Sequence, residues 1–340
     1  MSSSPLNILV TGGAGYIGSH TAHQLIDAGH RVTVVDTLYS GHLWAIPENA
    51  AFHQIDAGNR EGMLEIMRAN AFDAIIHFAG HIVVPESVEH PGKYYQNNVV
   101  ASFNLIECAQ KSGIGLFVFS SSAAVYGNPP SIPVNENAPL APINPYGRTK
   151  LITEWTLQDI ASGSSSNKPL RYVALRYFNV AGAQIEGHLG QSTPEATHLI
   201  KVACEAACQK RSGVEIFGTD YDTPDGTCIR DYIHVEDLAA AHLKALDYLG
   251  AGEPSTIINC GYGHGYSVRQ VLDTVQKING TNFPIQESKR RAGDPAQLIA
   301  DNQKIHDLLQ WKPRYDSLEV ICETALNWER NGNQSVSLTR

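Results

Sequence analysis

The stretch Ile8-Leu9-Val10-Thr11-Gly12-Gly13-Ala14-Gly15-Tyr16-Ile17-Gly18 decides the fold. Its apolar start predicts a buried strand, and its glycine-rich end predicts a tight turn that opens a helix. Glycines at such a turn let the backbone approach a pyrophosphate closely, and the helix N-terminus offers free N–H groups. The turn therefore predicts a dinucleotide-binding loop, and its expected contacts are Gly12, Gly15, Tyr16, Ile17 and Gly18.

Apolar runs and helical stretches alternate through the rest of the first half. Further strands are predicted at 32–35, 51–55, 73–78, 116–119 and 172–175. A long helix is predicted between them at about 94–111. Short apolar runs separated by helices are typical of a parallel sheet covered on both faces. The pattern predicts an α/β protein with a doubly wound parallel sheet, the Rossmann arrangement.

The rhythm weakens after about Asn179, which suggests a second, smaller part. Polar loops are predicted at 182–194 and 218–226, and a helix at 237–249 leads to a strand at 256–259. We expect a dinucleotide-binding domain of residues 1–178 plus about 235–258. A smaller C-terminal α/β substrate domain would contain 179–234 and 259–330, followed by a polar, mobile tail at 331–340.

Bulk composition narrows the class of protein. The 340 residues are 43% hydrophobic, and the net charge of −9 argues against nucleic acid or an anionic membrane as the main partner. No apolar run approaches the roughly 18 residues that span a bilayer. The first residues, Met-Ser-Ser-Ser-Pro, lack the features of a signal peptide, so we expect a soluble cytoplasmic protein. The six cysteines form no Cys-x-x-Cys pair, and we expect no metal.

Two aspartates follow predicted strands. Asp36 closes the second strand, where an acidic residue binds a ribose diol and disfavours a 2′-phosphate, so NAD is predicted over NADP. The alternative is that Asp36 only caps a turn. Asp56 follows the third strand and is a candidate partner for an adenine amino group, with a helix cap as the alternative.

A serine run, Ser120-Ser121-Ser122, follows the fifth strand. In an open parallel sheet, ligands bind beyond the carboxyl ends of the strands. Ser122 is therefore a candidate to face the cofactor and to hydrogen-bond a substrate hydroxyl. The alternative is a turn of small residues beneath the helix.

Tyr146 and Lys150 lie four residues apart in a predicted helix, which has Asn144 as N-cap and Pro145 at its first position. The two side chains would share one helix face. A nearby ammonium lowers a phenol pKa, which makes the pair a candidate general acid/base for an alcohol-to-carbonyl reaction. The spacing is common by chance, and its weight comes from occurring after the glycine loop, Asp36 and Ser122.

These residues carry a resemblance to the extended short-chain dehydrogenase/reductase family and, within it, to the UDP-glucose 4-epimerases. The similar segments are 11–20, 77–80, 94–98, 120–127, 146–150, 175–179 (Leu-Arg-Tyr-Phe-Asn) and 230–234 (Arg-Asp-Tyr-Ile-His). The resemblance implies bound NAD, a UDP-sugar substrate and a homodimer in which helices near 94–111 and 146–160 pack together.

The resemblance also implies roles for further residues. Additional cofactor contacts would be Thr37, Ala57, Phe78, Ala79, Gly80, Asn97 and Phe178, together with Ser122, Tyr146 and Lys150. Arg230 and Arg291 would clamp the diphosphate, and Asp294 would bind the uridine ribose. The remaining substrate contacts would be Asn179, His198, Leu199, Phe217 against uracil, and Leu298 near the sugar. As alternatives, Arg291 is a solvated charge and Phe217 a core aromatic.

One absence favours an epimerase over a dehydratase. Related dehydratases usually carry an Asp-Glu pair after the serine, where this chain has Ala123 and Ala124. A single tyrosine suits reversible oxidation and reduction at C4, which interconverts UDP-glucose and UDP-galactose. Other UDP-sugars (N-acetylhexosamines, uronates or pentoses) remain alternatives, and a non-catalytic dinucleotide-binding protein is a remote one.

Two positions depart from the family pattern. Some bacterial members have a lysine near the cofactor where this chain has Ile82, and His81 is not assigned that role. Many glucose-specific members have a tyrosine where this chain has Leu298, so an N-acetyl group remains possible there.

Overall fold

The computed structural model describes residues 5–163, 169–291 and 294–336, with side chains up to residue 331. Its centre is a seven-stranded sheet in which every pairing is parallel, in the order β11-β6-β5-β4-β1-β2-β3. The strands are β1 Asn7–Thr11, β2 Arg31–Asp36, β3 Ala51–Gln54, β4 Ala74–His77, β5 Leu116–Ser122, β6 Arg171–Tyr177 and β11 Thr256–Cys260. The predicted doubly wound sheet is confirmed.

Helices cover both faces of this sheet. In chain order they are α1 Tyr16–Asp27, α2 Arg60–Ala69, α3 Val84–Glu89, α4 Pro91–Tyr94, α5 Ala101–Lys111, α6 Pro145–Gly163, α7 Leu199–Ala207, α8 Val235–Gly250, α9 Val268–Asn279, α10 Gln303–Leu309 and α11 Leu318–Val336. Between α4 and α5 a π-helical segment, Tyr95–Val100, continues the helical path. The predicted helix at 94–111 is therefore present, with a wider turn at its start.

Short strands organise the second part of the chain. They are β7 Asn179–Ala181, β8 Val214–Phe217, β9 Ile229–Arg230, β10 Tyr232–His234, β12 Tyr266–Ser267, β13 Ile285–Ser288 and β14 Gln297–Leu298. They form three small sheets, β10-β7, β12-β9-β14 and β13-β8. Strands of two to four residues are too short for a periodicity argument, which is why the sequence indicated only weak order here.

The central sheet separates two hydrophobic layers. Ile8 and Leu9 are neighbours in β1, and their side chains belong to different buried clusters on opposite faces. The Ile8 cluster continues into the C-terminal part, where it includes Ile216 and Trp311. This shared core holds the small sheets against the carboxyl end of the large one. The domain boundaries given above stay a prediction.

Several element boundaries differ from expectation. β5 runs on through Ser122 and β6 through Tyr177, because both strands pair with each other to their last residues. The segment from 331 was expected to be a separate tail, but α11 continues to Val336. The sequence predicts a surface linker at the serine-rich stretch 162–166, and part of that stretch lies outside the described residues.

Candidate active site

A cleft of about 1160 Å³ opens at the carboxyl ends of the parallel strands and extends towards the small sheets. All predicted catalytic, cofactor-binding and substrate-binding residues line this one cleft. They come from positions as far apart in sequence as Gly12 and Leu298. Their convergence follows from the topology, since parallel strands deliver their carboxyl ends to one edge.

The glycine loop is packed so tightly that a side chain at Gly12 or Gly18 would clash with neighbouring backbone. Gly12 has a positive φ of 72°, and a Cβ on it would lie 2.6 Å from the Ala79 nitrogen. A Cβ on Gly18 would lie 2.2 Å from the Gly12 carbonyl oxygen. Gly15 is the N-cap of α1, and no side chain caps that helix end. The loop thus presents backbone N–H groups and a helix dipole to the cleft, which fits a pyrophosphate.

Asp36 has a structural task as well as a predicted ligand role. Its Oδ2 accepts a hydrogen bond from the Ala14 nitrogen at 3.0 Å, and its Oδ1 accepts one from the Leu38 nitrogen at 2.8 Å. The carboxylate ties the glycine loop to the end of β2 while facing the cleft. Asp56 accepts from the Gly58 nitrogen at 2.7 Å, and the N-cap of α2 is Asn59. The alternative in which Asp56 caps this helix is therefore wrong.

The Tyr146, Lys150 and Ser122 side chains meet at the centre of the cleft. Asn144 Oδ1 accepts from the Gly147 nitrogen at 2.8 Å, which confirms the predicted N-cap ahead of Pro145. Lys150 Nζ lies 5.9 Å from the centroid of the Tyr146 ring and donates to the Ser120 carbonyl oxygen at 2.7 Å. Lys150 thereby connects the face of α6 that carries Tyr146 to the end of β5.

Burial dominates the protonation of this group. It raises the pKa of the Tyr146 phenol, and a hydrogen bond with Ser122 opposes the rise. Burial also lowers the pKa of Lys150 to about 8, which the Glu154 carboxylate opposes. The predicted lowering of the Tyr146 pKa is not found in the protein alone, because burial of the phenol raises the pKa and the opposing contribution comes from Ser122 rather than from Lys150.

The substrate end of the cleft is formed by the small sheets. The Arg230 guanidinium lies 3.9 Å from the Asp294 carboxylate, and Arg291 stacks 3.6 Å over the Phe217 ring. Both arginines therefore line one wall with a carboxylate and an aromatic face. Such guanidinium groups suit bidentate binding of a diphosphate.

In the segment Arg230 to His234, Arg230 and Tyr232 line the cleft, whereas the other three residues are buried away from it. Asp231 is fully buried and accepts hydrogen bonds from the backbone nitrogens of Tyr262, Gly263 and Ala300. Burial raises the pKa of Asp231 to about 6, and these three bonds oppose the rise. Asp231 thus anchors the loops that position Arg230 beside the cleft.

Several cleft residues were missed by the sequence argument. Tyr177 bonds its hydroxyl to that of Ser120 at the cleft wall. Its position directly before Phe178, in the family-like segment 175–179, could have indicated it. Gln191 lines the cleft from a polar loop that carried no periodic signal. Ile82 and His81 both line the cleft, and the His81 ring packs against Tyr39 with centroids 5.0 Å apart.

Residues 8–261 match the NAD dependent epimerase/dehydratase family. A UDP-glucose 4-epimerase of Azospirillum brasilense is 52% identical over 329 residues, which is 97% of this chain and 93% of the relative. A Brucella ovis UDP-glucose 4-epimerase, solved in complex with NAD, has a TM-score of 0.91 at 43% identity and covers 94% of this chain and 97% of its own.

A third similar protein, the UDP-Glc/GlcNAc 4-epimerase of Campylobacter jejuni, has a TM-score of 0.84 at 48% identity over 96% of this chain and 99% of its own. The chain belongs to the NAD dependent epimerase/dehydratase family. Within the described residues, every helix is too short or too polar to span a membrane.

Proposed function

We propose that the protein is an NAD-dependent 4-epimerase that interconverts UDP-glucose and UDP-galactose. The observation that carries the proposal is the arrangement of Tyr146, Lys150 and Ser122 in the same cleft as the glycine loop and the paired arginines. Relatives over nearly the full length are UDP-glucose 4-epimerases, which supports the same reaction.

Each residue of the central group has a distinct task. The Tyr146 phenolate removes the proton of the sugar 4-hydroxyl and returns it later to the same oxygen. Ser122, which lowers the pKa of the Tyr146 phenol, shares that proton during the transfer. Lys150 provides a positive charge beside the phenol and keeps the Ser120 strand end in place. Bound NAD, held by the glycine loop and Asp36, would supply reversible hydride transfer at C4.

Inversion requires that the 4-keto sugar present its other face between the two hydride transfers. The nucleotide must therefore be held firmly while the sugar turns. Arg230, Arg291 and Asp294 would hold the UDP at one end of the cleft, with Phe217 beside the uracil. At the sugar end, Leu298 packs with a small apolar cluster that includes Ala123. Ala123 and Ala124 provide no second acid/base pair beside Tyr146, which favours epimerisation over elimination of water.

The direct test is incubation of the purified protein with UDP-galactose, with formation of UDP-glucose followed by NMR. We expect an equilibrium mixture of the two sugars without added reductant. Absence of conversion in protein that contains NAD would contradict the proposal. Bound NAD in the purified protein, seen by absorbance or fluorescence, would support retention of the cofactor through turnover.

The sugar range is the main alternative. Leucine at 298 is smaller than the tyrosine of many glucose-specific relatives, and the similar Campylobacter jejuni protein is a UDP-Glc/GlcNAc 4-epimerase. A panel of UDP-N-acetylglucosamine, UDP-uronate and UDP-pentose separates these substrates. Replacement of Leu298 by Tyr should reduce conversion of the N-acetyl sugar more than that of UDP-galactose. Equal effects on both would argue against a role of this position in selection.

We further propose a homodimer built on α5 and α6. Large apolar side chains are exposed on this side, with Phe103 41% and Trp155 51% exposed. Burial of such side chains against a second copy would stabilise association. Trp155→Glu should shift the sedimentation coefficient towards a monomer. Leu308→Glu, at a similarly exposed position on α10, is the matched control and should leave it unchanged.

The cytoplasmic location also stays a proposal. All six cysteines are free thiols, which is the usual state in a reducing compartment. Fluorescence microscopy of a tagged chain in its native host would test it.

A further inference from the structure

A polar loop connects the cofactor side of the cleft to its substrate side. We name residues 182–192, between β7 and the approach to α7, the bridging loop. Within it, the Gln184 nitrogen donates to the Leu189 oxygen and the Gly187 nitrogen to the Gln184 oxygen. These two turns hold the middle of the loop, whereas its two ends are held by residues from the cofactor side.

The first end is held by Tyr16. This residue begins α1 at the glycine loop and lines the cleft. Its hydroxyl donates to the Gly182 carbonyl oxygen at 2.6 Å, across 166 positions of sequence. The Tyr16 ring also packs edge-on against His20, with centroids 5.5 Å apart. A residue of the predicted pyrophosphate turn is thus bonded to the start of the bridging loop.

The second end is held by His42. Its ring nitrogen Nε2 lies 3.1 Å from the Ser192 carbonyl oxygen, to which it donates. Its backbone nitrogen donates to the Ala14 carbonyl oxygen at 2.9 Å. Because the Ala14 nitrogen in turn donates to Asp36, one chain of hydrogen bonds runs from the predicted ribose ligand to the bridging loop.

The bridging loop is also hydrogen-bonded to residues on the substrate side of the cleft. The Trp328 indole nitrogen donates to the Gln191 carbonyl oxygen at 3.2 Å. The Gln191 side-chain amide donates to His198 Nδ1 at 3.0 Å, so the ring carries its proton on Nε2. Both Gln191 and His198 line the cleft, and His198 is the N-cap of α7. The neutral His198 imidazole therefore lies at the positive end of α7, with its Nε2–H as the hydrogen-bond donor.

We infer that Tyr16 and His42 are positioning residues that hold the bridging loop so that Gln191 presents His198 Nε2–H to the diphosphate of the UDP-sugar. The inference rests on the proposed function for the identity of the ligand. Binding of the UDP-sugar then depends on the glycine loop, which is also the predicted binding site of the cofactor pyrophosphate.

Three variants test the inference in the NAD-containing protein. Tyr16→Phe removes one hydroxyl, and His42→Phe removes one ring donor while keeping an aromatic face against Trp44. Gln191→Met keeps the length of the side chain and removes its bond to His198. Each should weaken UDP binding, measured by calorimetry, by about three- to tenfold, the loss of one hydrogen bond. KM for the UDP-sugar should rise more than kcat falls.

A double variant distinguishes positioning from local damage. If Tyr16 acts through the loop, Tyr16→Phe combined with Gln191→Met should weaken UDP binding little more than Gln191→Met alone. Amide hydrogen exchange in 182–192 should accelerate in Tyr16→Phe and His42→Phe. Ser255→Ala removes the hydrogen bond that the Tyr172 nitrogen donates at the opposite edge of the central sheet, away from the cleft, and serves as the control with unchanged UDP affinity.

Two outcomes would overturn the inference: unchanged UDP affinity in both Tyr16→Phe and His42→Phe, or fully additive losses in the double variant. Conversion of UDP-galactose by the wild-type protein is assayed in parallel. Conversion together with unchanged UDP affinity rejects the positioning role alone. Absence of conversion by the wild type rejects the proposed reaction, independently of the loop.

Discussion

Glu154 and Arg176 form a buried bidentate ion pair directly behind the serine end of β5. Arg176 donates from Nε to Oε1 at 2.9 Å and from the second guanidinium nitrogen to Oε2 at 2.6 Å, and each side chain is at most 2% exposed. Ser121 donates to the same carboxylate at 2.5 Å. Since Glu154 lies one helical turn after Lys150, the pair joins α6, β5 and β6 beneath the catalytic residues.

This relationship predicts a large loss of stability when only one charge is removed. Glu154→Gln leaves the Arg176 guanidinium buried without its counter-charge, and the free energy of unfolding should fall by about 3–5 kcal/mol. Ser121→Ala keeps the pair and removes one bond to it, so it should cost only about 1–3 kcal/mol. Urea unfolding curves measure both values. Equal losses in the two variants would show that the ion pair is not the main support.

Tyr146→Phe should abolish most of the turnover. The phenyl ring keeps the packing but cannot exchange a proton with the sugar 4-hydroxyl, so kcat should fall by about 10²- to 10⁴-fold. The rate at which UDP-glucose forms from UDP-galactose at saturating substrate gives kcat directly. Tyr248 is also buried but lies on α8, so Tyr248→Phe is the control and should retain wild-type turnover. Near-wild-type turnover in Tyr146→Phe would exclude the phenol as the base.

The buried lysine predicts a defined pH dependence of stability. Burial lowers the pKa of Lys150 from 10.5 in its ordinary state to about 8. Between these pH values the unfolded chain holds a proton that the folded chain has released, so stability rises with pH. Relative to Lys150→Met, the free energy of unfolding of the wild type should gain about 3 kcal/mol from pH 8 to 10.5.

Chemical unfolding of both proteins across this range measures that difference. Groups other than Lys150 titrate in both proteins and cancel in the comparison. A constant difference would show that Lys150 keeps its ordinary pKa in the folded state.

Gly18→Ala should prevent retention of the cofactor. The added Cβ would lie 2.2 Å from the Gly12 oxygen, so the glycine loop must move away from α1. The purified variant should lack the absorbance of bound NAD and should lose epimerase activity. Gly250→Ala places a methyl at the end of α8 with no heavy atom within 4 Å, and it should keep both properties. NAD bound in normal amount to Gly18→Ala would contradict the tight packing.

Local patterns carried much of the fold and the centre of the site. The strand, glycine turn and helix at 8–18 each depend on neighbours within a few residues, so their geometry follows from the chain itself. The same holds for Asn144 and Pro145, whose cap sets the start of α6 and the shared face of Tyr146 and Lys150. The predicted site residues were accordingly found around one cleft.

Tertiary structure decided what depends on distant partners. The direction of the Tyr146 pKa follows from burial, which no spacing reveals. The bond from Tyr16 to Gly182 joins residues 166 positions apart, and the pairing of Glu154 with Arg176 requires a helix and a strand to meet. Local propensity acts over a few residues, whereas desolvation and long-range hydrogen bonds exist only once the chain has packed.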